Sequence, residues 1–341
     1  MPGNFRANAP VSIRFAQLKQ PGSLILVDAN GAHRPYMTQS PSSSLTRIFH
    51  QEQINFLLTN HIPRRWATLF VGWLSRLENP IVTRLAMAVW QAFAGKIDTT
   101  ETKKRRFKSL HDCFIRELRP DARPIHGGAG IAVSPCDGIV GAHGTIDGQS
   151  IFQVKGSTYT LSELLCDDEL VKCYENGQFV TLRLTSTMYH RFHSPCDCRI
   201  DTVNYIAGDT WNVNPTALKR IDGLFCKNER AVIELVPKRP MPRIALIPVA
   251  AILVAGIKLH FVDDVLDLRY GGPNRLECDA RVQRGEELGY FQHGSTIIVL
   301  AERPFRLVPD LREGEIIRMG EPLLDITRGA RVNTLDDRSK P

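Results

Sequence analysis

The sequence predicts an α+β fold, in which a β-rich and mostly antiparallel body follows amphipathic helices near the N-terminus. From residue 131 onward, short runs rich in β-branched residues are separated by turn residues, which is the pattern of an antiparallel sheet. Residues 66–93 instead show apolar side chains at helical spacing. With 341 residues, of which 43% are hydrophobic, the chain can bury a substantial core.

The first 60 residues are predicted to be a poorly ordered extension. Residues 1–44 mix Pro, Ser, Gln and Asn and contain one strand-like apolar run at 23–27. Such a composition favours a mobile or loosely attached segment. No chemistry is predicted for it.

A helical region is predicted over residues 61–120. Its first two helices, at 66–74 and 85–93, are separated by Asn79-Pro80, and Pro is favoured in the first turn of a helix. Both are shorter than the roughly 20 apolar residues of a membrane span, so no transmembrane helix is predicted.

These two helices carry aromatic residues that suit a lipid interface. Trp66, Trp73 and Trp90 lie near several arginines, and Trp and Arg are typical of helices that lie on a membrane surface. Packing of the same faces on the protein's own core is an equally open alternative.

A third helix is predicted over residues 103–119, where a basic run leads into an amphipathic stretch. Its apolar residues recur three and four positions apart, as on one face of a helix. They are Phe107, Leu110, Phe114 and Leu118.

The body that follows is predicted to consist of strands with a few helices. The run at 244–257 is the most apolar in the chain, and Pro248 interrupts it, so we expect a core strand or a pair of strands. The predicted strands include residues 131–133, 138–141, 178–184, 231–235 and this run.

The charge of the chain favours an anionic partner. A net charge of +7 and a pI near 9.0 suit nucleic acid or an anionic membrane surface. Basic residues are not interleaved with aromatic ones along the strands, so a nucleic-acid-binding module is the remote alternative. The eight cysteines form no C-x-x-C pair, and we interpret them as reduced thiols, with no metal site predicted.

Three short clusters carry the residue types that a self-activating serine needs. Ser295 follows Gly294 at the start of an apolar run, so it lies at the mouth of a buried strand. A serine hydroxyl is a poor nucleophile until a base takes its proton, and a histidine oriented by a carboxylate is the usual base. Asp137 and either His190 or His193 could supply that pair.

A serine hydrolase is a further alternative for these residues. The Gly-x-Ser-x-Gly motif does not occur around Ser295, however. Hydrolysis of an ester by the uncleaved chain would revive this alternative.

Taken together, the clusters resemble the signature of the phosphatidylserine decarboxylase family. They match its motifs Pro-x-Asp-Gly, Tyr-His-x-x-His-x-Pro and Gly-Ser-Thr. Supporting stretches match in the same order at 114–125, 155–161, 224–230 and 318–323, and the likeness runs from about residue 66 to residue 325. The matching residues are Pro135, Asp137, Gly138, Tyr189, His190, His193, Pro195, Gly294, Ser295 and Thr296.

The resemblance implies a proenzyme that cleaves itself between Gly294 and Ser295. His193, held by Asp137, would deprotonate Ser295, whose oxygen would attack the Gly294 carbonyl and convert the peptide bond into an ester. Elimination and hydrolysis would leave a covalent pyruvoyl group at residue 295. The mature protein would be a heterodimer of a β chain, 1–294, and an α chain, 295–341, with further oligomerisation left open.

The resemblance also implies the reaction. The pyruvoyl group at Ser295 would form a Schiff base with the substrate amine and accept the electrons released with CO₂, and His190 would be the proton donor at Cα. The implied substrate is phosphatidylserine and the product phosphatidylethanolamine, with the catalytic domain at 121–341. A decarboxylase of a soluble amino acid is the alternative. We expect a peripheral protein on the cytoplasmic side of the cell membrane.

One residue departs from the family pattern. His293 stands before Gly294, where many members have an uncharged residue. Its imidazole could tune maturation with pH or point to solvent. Because Gly294 and Ser295 are intact, cleavage is still expected.

Overall fold

The computed structural model describes residues 25–27, 33–35, 64–154, 157–252, 256–292 and 295–327. The chain divides into two compact units, Met1–Ser44 and Leu45–Pro341. In the first unit, β1 (Ile25–Val27) pairs antiparallel with β2 (His33–Pro35). Strand β1 falls within the strand-like run predicted at 23–27. The rest of the extension predicted over 1–60 lies outside the described residues.

The second unit begins with helices and continues mainly as strands. Its helices are α1 (Arg64–Ser75), α2 (Pro80–Ala94), α3 (Leu110–Phe114), α4 (Leu161–Leu165), α5 (Asp168–Tyr174), α6 (Pro215–Arg220) and α7 (Leu224–Lys227). Its strands are β3 (Ile131–Val133), β4 (Gly138–Thr145), β5 (Ser150–Val154), β6 (Ser157–Thr160), β7 (Gln178–Leu184), β8 (Arg191–His193), β9 (Cys198–Ile206), β10 (Arg230–Pro237), β11 (Ile244–Val249), β12 (Ile257–Leu259), β13 (Val265–Leu266), β14 (Arg275–Val282), β15 (Glu287–Phe291), β16 (Ser295–Ala301), β17 (Arg306–Leu307), β18 (Ile316–Ile317) and β19 (Pro322–Asp325).

Helices α1 and α2 lie where the sequence predicts them. The side chain of Asn79 accepts hydrogen bonds from the backbone N–H groups of Ile81 and Val82, and Pro80 occupies the first turn. This cap satisfies donors that a helix start leaves free. None of the helices in the described ranges is long and apolar enough to cross a membrane.

The helix predicted over residues 103–119 is wrong in its extent. Ser109 caps the short helix α3, which ends at Phe114. The chain then folds back, because Lys103 N–H donates to the Glu117 carbonyl at 3.0 Å. The helix therefore ends before this pairing of backbone groups, although the apolar residues of the sequence continue at helical spacing.

The main sheet has eight strands in the order β14-β9-β10-β11-β16-β7-β4-β18, and each neighbouring pair is antiparallel. One face packs on the smaller sheet β13-β12-β15-β8, and the other face packs on helices α4 to α7. Strand β16 is covered on both sides: Ile297 belongs to one core cluster and Ile298 to the other. The predicted β-rich, mostly antiparallel α+β fold is confirmed.

The apolar run at 244–257 forms two strands. Strand β11 continues through Pro248, which pairs with Ile297 of β16, so this proline does not end the strand. The chain leaves the main sheet after Val249 and returns as β12 in the smaller sheet. Residues 253–255 lie outside the described part of the run.

Candidate active site

One end of the main sheet gathers two of the predicted clusters. Ser295 opens β16 opposite Leu184, the last residue of β7. On the other side of β7, Ile139 of β4 pairs with Arg183, so Asp137 lies at the same end, just before β4. Neighbouring strands are about 4.8 Å apart, which places the β4 and β16 backbones on the order of 10 Å apart.

The smaller sheet brings the histidine cluster to this end. The backbone N–H of Phe291, the last residue of β15, donates to the His190 carbonyl at 3.0 Å. From Phe291 the chain continues toward residue 295. The backbone N–H of His193 donates to the Pro135 carbonyl at 2.7 Å. Pro135 lies two residues before Asp137 in the sequence. Both histidines therefore lie beside the clusters predicted to work with them.

Asp137 is held by an arginine. Its carboxylate accepts hydrogen bonds from Arg123 Nε at 2.8 Å and Nη2 at 2.5 Å, and from the backbone N–H of Met319 at 3.0 Å. Arg123 also donates to Glu101 at 2.7 Å. Hydrogen bonding to Asp137 raises the pKa of Arg123. The buried carboxylate is thus fixed in orientation and balanced in charge.

His193 is a neutral imidazole whose Nε2 carries no proton. Its Nδ1 lies 2.9 Å from the Gly285 carbonyl and its Nε2 lies 2.9 Å from the Tyr189 hydroxyl. A carbonyl oxygen only accepts, so we assign the proton to Nδ1, and Nε2 accepts from Tyr189. Burial lowers the pKa of His193 from its ordinary value of 6.5, although the Gly285 carbonyl, Glu287 and Asp137 oppose this shift.

His190 is fully buried and has one nitrogen free. Its Nδ1 donates to the Met188 carbonyl at 2.9 Å, and its Nε2 has no hydrogen-bond partner in the described part of the chain. The ring lies against Phe114, with centroids 4.0 Å apart. Burial, with a smaller contribution from Arg116, lowers the pKa of His190 to about 3. The imidazole is neutral at pH 7, and its free lone pair is at Nε2.

The structure leaves the charge relay as a prediction. Asp137 is close enough to influence the pKa of His193, but in the described ranges no hydrogen bond joins their side chains. Both nitrogens of His193 are engaged by Gly285 and Tyr189. His293, Gly294 and the side chain of Ser295 lie outside the described part of the site.

Two residues of this site have roles that the sequence analysis missed. Arg123 is visible in the sequence only as part of a matching motif, and Tyr189 only as the first residue of the histidine motif. Arg123 reaches Asp137 across 14 positions. Charged residues are common on protein surfaces, so the distance in sequence between an arginine and an aspartate does not indicate that their side chains are in contact.

Comparison with known proteins adds independent findings. Residues 110–325 match the family model described as phosphatidylserine decarboxylase. A phosphatidylserine decarboxylase proenzyme of Anaeromyxobacter sp. (strain K) is 34% identical over 270 residues, which cover 77% of this chain and 94% of the relative. The proenzyme of Dickeya dadantii is 32% identical over 301 residues, covering 84% and 98%. That of Haemophilus influenzae (strain KW20) is 33% identical over 277 residues, covering 77% and 92%.

These matches, together with the β-rich fold and its buried histidines, define the chain as an enzyme, a carboxy-lyase made as a proenzyme. It belongs to the phosphatidylserine decarboxylase family. The resemblance found in the sequence motifs is confirmed.

Proposed function

We propose that this chain cleaves itself between Gly294 and Ser295 and then decarboxylates phosphatidylserine to phosphatidylethanolamine and CO₂. The observation that carries the proposal is the pair of buried, neutral histidines, His190 and His193, at the sheet end where β16 begins. Membership of the family supports the same substrate.

In maturation we assign the role of base to His193. Its unprotonated Nε2 can take the hydroxyl proton of Ser295 once the Tyr189 hydroxyl turns aside, and Gly285 holds the opposite nitrogen protonated. The Asp137 carboxylate, fixed by Arg123, stabilises the imidazolium that forms. His193 therefore supplies the base, the Gly285 backbone carbonyl orients it, and Asp137 supplies a compensating charge.

The same end of the sheet suits a covalent pyruvoyl group at residue 295. This group supplies a carbonyl that captures the substrate amine and accepts the electron pair released with CO₂. The unpartnered Nε2 of His190 supports the assignment, because a buried nitrogen without a hydrogen bond is costly unless it serves a ligand. Nε2 can relay a proton from solvent to the substrate Cα after CO₂ leaves.

Strand β16 supports a heterodimer that outlasts cleavage. Its residues pair with β7 along the whole strand from Ser295 to Ala301, and with β11 from Thr296 onward. An α chain that begins at residue 295 therefore keeps a strand in the middle of the main sheet. We propose that the β chain, 1–294, and the α chain, 295–341, stay associated for this reason.

We propose peripheral attachment to an anionic membrane, on its cytoplasmic side, and the exposed aromatic residues of helix α1 support the contact with lipid. Trp66 is 77% exposed, and Phe70 and Trp73 are each 59% exposed. Such aromatic side chains favour the lipid interface. Arg76, the residue that follows this helix, ties it to the active-site end, because its guanidinium donates to the carboxamide oxygen of the buried Gln292.

Removal of this aromatic surface tests the membrane contact. The triple variant Trp66→Ala, Phe70→Ala, Trp73→Ala is expected to bind phosphatidylserine-containing vesicles at least about 10-fold more weakly. Each alanine removes most of the apolar surface that the aromatic side chain would bury in the lipid interface. Sedimentation with vesicles measures it. Phe152→Ala, which removes another aromatic side chain that is 52% exposed, is the control and should bind normally. Equal binding of all three proteins would contradict the assignment.

The reaction itself is tested by a substrate comparison. Purified processed protein is given phosphatidylserine vesicles in one arm and a set of free amino acids, including serine, in the other. We expect CO₂ and phosphatidylethanolamine from the phospholipid alone. Release of CO₂ from a free amino acid, without turnover of the phospholipid, would favour the alternative of a soluble amino acid decarboxylase.

A further inference from the structure

A buried glutamate lies in the same row of the main sheet as the residue predicted to become the reactive carbonyl. Strand register aligns Arg230 of β10 with Thr296 of β16, through the strand β11 between them. One step closer to the end of the sheet, the backbone N–H of Ala250 donates to the Glu229 carbonyl at 2.8 Å. Glu229 and position 295 therefore lie in one row, two strand spacings or about 10 Å apart.

Glu229 also lies on the same face of the sheet as position 295. Residues two positions apart along a strand share a face, and so do residues paired across strands. Ala231, two positions after Glu229, and Ile297, two positions after 295, belong to the same core cluster. This is the face that packs on the smaller sheet, which carries His193 on β8. Glu229 is fully buried there.

The surroundings of Tyr205 agree with this placement of the Glu229 carboxylate. Tyr205 of β9 pairs with Ala231 of β10 and belongs to the same core cluster. Burial, followed by the charge of Glu229, raises the pKa of Tyr205, so the carboxylate and the phenol are close together. The Tyr205 hydroxyl donates to the Asp267 carbonyl at 3.1 Å.

A cavity lies between helix α1 and the segment that contains Asp267. Its volume is about 150 Å³, and its lining includes Trp73 of α1, Arg76 and Asp267. The cavity thus connects the helix proposed to meet the membrane with a residue that contacts Tyr205. A phospholipid headgroup can approach Glu229 from this space.

We propose that Glu229 binds the ammonium group of the phospholipid substrate and holds its nitrogen beside residue 295. This inference rests on the proposed function and adds the residue that recognises the substrate amine. A glutamate side chain, one hydrogen bond and the bonded nitrogen together span about the separation of the two backbones. A hydrogen bond between an ammonium and a carboxylate is also stronger than one between neutral groups.

The ammonium is the part of the substrate that a carboxylate can recognise. Phosphatidylserine carries two anions, the phosphodiester and the carboxylate, and one cation, the ammonium. When a primary ammonium condenses with a ketone, two of its hydrogens leave with the ketone oxygen as water, and the positive charge stays on the nitrogen. Glu229 can accept the first of these protons and pass it to the departing oxygen. The buried carboxylate therefore faces a compensating charge before and after the amine is captured.

The test follows the capture of an amine at residue 295 rather than the release of CO₂. Processed protein is incubated with glycerophosphoethanolamine, below saturation, and with cyanoborohydride, which reduces the captured amine to a stable adduct. The intact mass of the small fragment gives the rate of adduct formation. Hydroxylamine, a neutral nucleophile that needs no counter-ion, is the second probe. Wild type is compared with Glu229→Gln, Glu229→Asp and the matched control Glu234→Gln, which removes a β10 carboxylate that pairs with the exposed Arg243.

We expect Glu229→Gln to form the glycerophosphoethanolamine adduct about 10- to 100-fold more slowly than wild type, the loss typical of a hydrogen bond to a charged group. Its reaction with hydroxylamine should keep the wild-type rate. Glu229→Asp should recover part of the rate, because it keeps the charge on a shorter side chain. Glu234→Gln should match wild type with both probes.

The fragment pattern on denaturing electrophoresis and the thermal unfolding midpoint verify that each variant is folded and processed. If Glu229→Gln is not processed, the comparison uses Glu229→Asp. That variant should lose several-fold with glycerophosphoethanolamine and nothing with hydroxylamine.

Three outcomes would overturn this role of Glu229 and leave the proposed function standing. They are equal rates for wild type and the Glu229 variants, an equal loss with both probes, and a wild type that reacts with hydroxylamine but not with glycerophosphoethanolamine. A wild-type protein that reacts with neither probe lacks the carbonyl, and the proposed function then fails together with this role. If capture depends on Glu229 in a protein that releases no CO₂ from phosphatidylserine, the role stands and the proposed reaction fails.

Discussion

Replacement of Ser295 by alanine is expected to leave the chain at full length and without decarboxylase activity, whereas the wild-type protein separates into a large and a small fragment. The reason is that self-cleavage needs the side-chain oxygen as the nucleophile, and alanine has none. Denaturing electrophoresis of freshly purified protein and a CO₂-release assay measure the two effects.

Two further variants separate chemistry from folding. Ser150→Ala removes an exposed serine of β5 and should process like wild type. Ser295→Thr keeps a hydroxyl and should cleave in part, more slowly because the β-branched side chain restricts its rotamer. A Ser295→Ala protein that still forms both fragments would contradict the assigned cleavage site. A wild-type chain that stays intact while active would contradict maturation by cleavage.

The second large effect separates the two histidines. His193→Ala and Asp137→Asn should slow self-cleavage by roughly 10²–10⁴-fold, because they remove the base or the charge that stabilises it. His190→Ala should cleave but decarboxylate slower by a similar factor, because it loses the proton donor. His143→Ala is the control, because His143 lies on β4, the strand that follows Asp137. This variant should cleave itself and decarboxylate at the wild-type rates.

The pH dependence of cleavage follows from the same assignment. Only neutral His193 can accept a proton, and burial lowers its pKa below 6.5. The base form is therefore present throughout the neutral range and is lost only as the pH falls through the lowered pKa. Cleavage time courses across a pH series should show a constant rate near neutrality and a decline in acid.

Equal cleavage of the Asp137, His190 and His193 variants would remove the proposed roles.

The parts of the fold that the sequence predicted well have strong local determinants. The strand predicted at 178–184 has the observed bounds of β7, because a turn at Asn176-Gly177 precedes a run of residues that are buried on both faces. The start of α2 follows from the capping side chain of Asn79 and from Pro80. The helix predicted over 103–119 failed because its limits depend on a contact between Lys103 and Glu117, which periodicity does not contain.

The same distinction applies to the site. Asp137, His190, His193 and Ser295 were predicted as candidates because their motifs are compact and occur in order. The contacts of Arg123, Tyr189 and Gly285 depend on the tertiary fold, which brings together segments as much as 92 positions apart.

The intact mass of the small fragment tests the central claim most directly. We predict an α chain that begins at residue 295 with a pyruvoyl group in place of serine. Its mass should be lower, by one ammonia, than that of the same peptide with an N-terminal serine. Treatment with borohydride should raise that mass through reduction of the carbonyl. An active protein whose small fragment carries an unmodified serine and no trappable carbonyl would contradict the account.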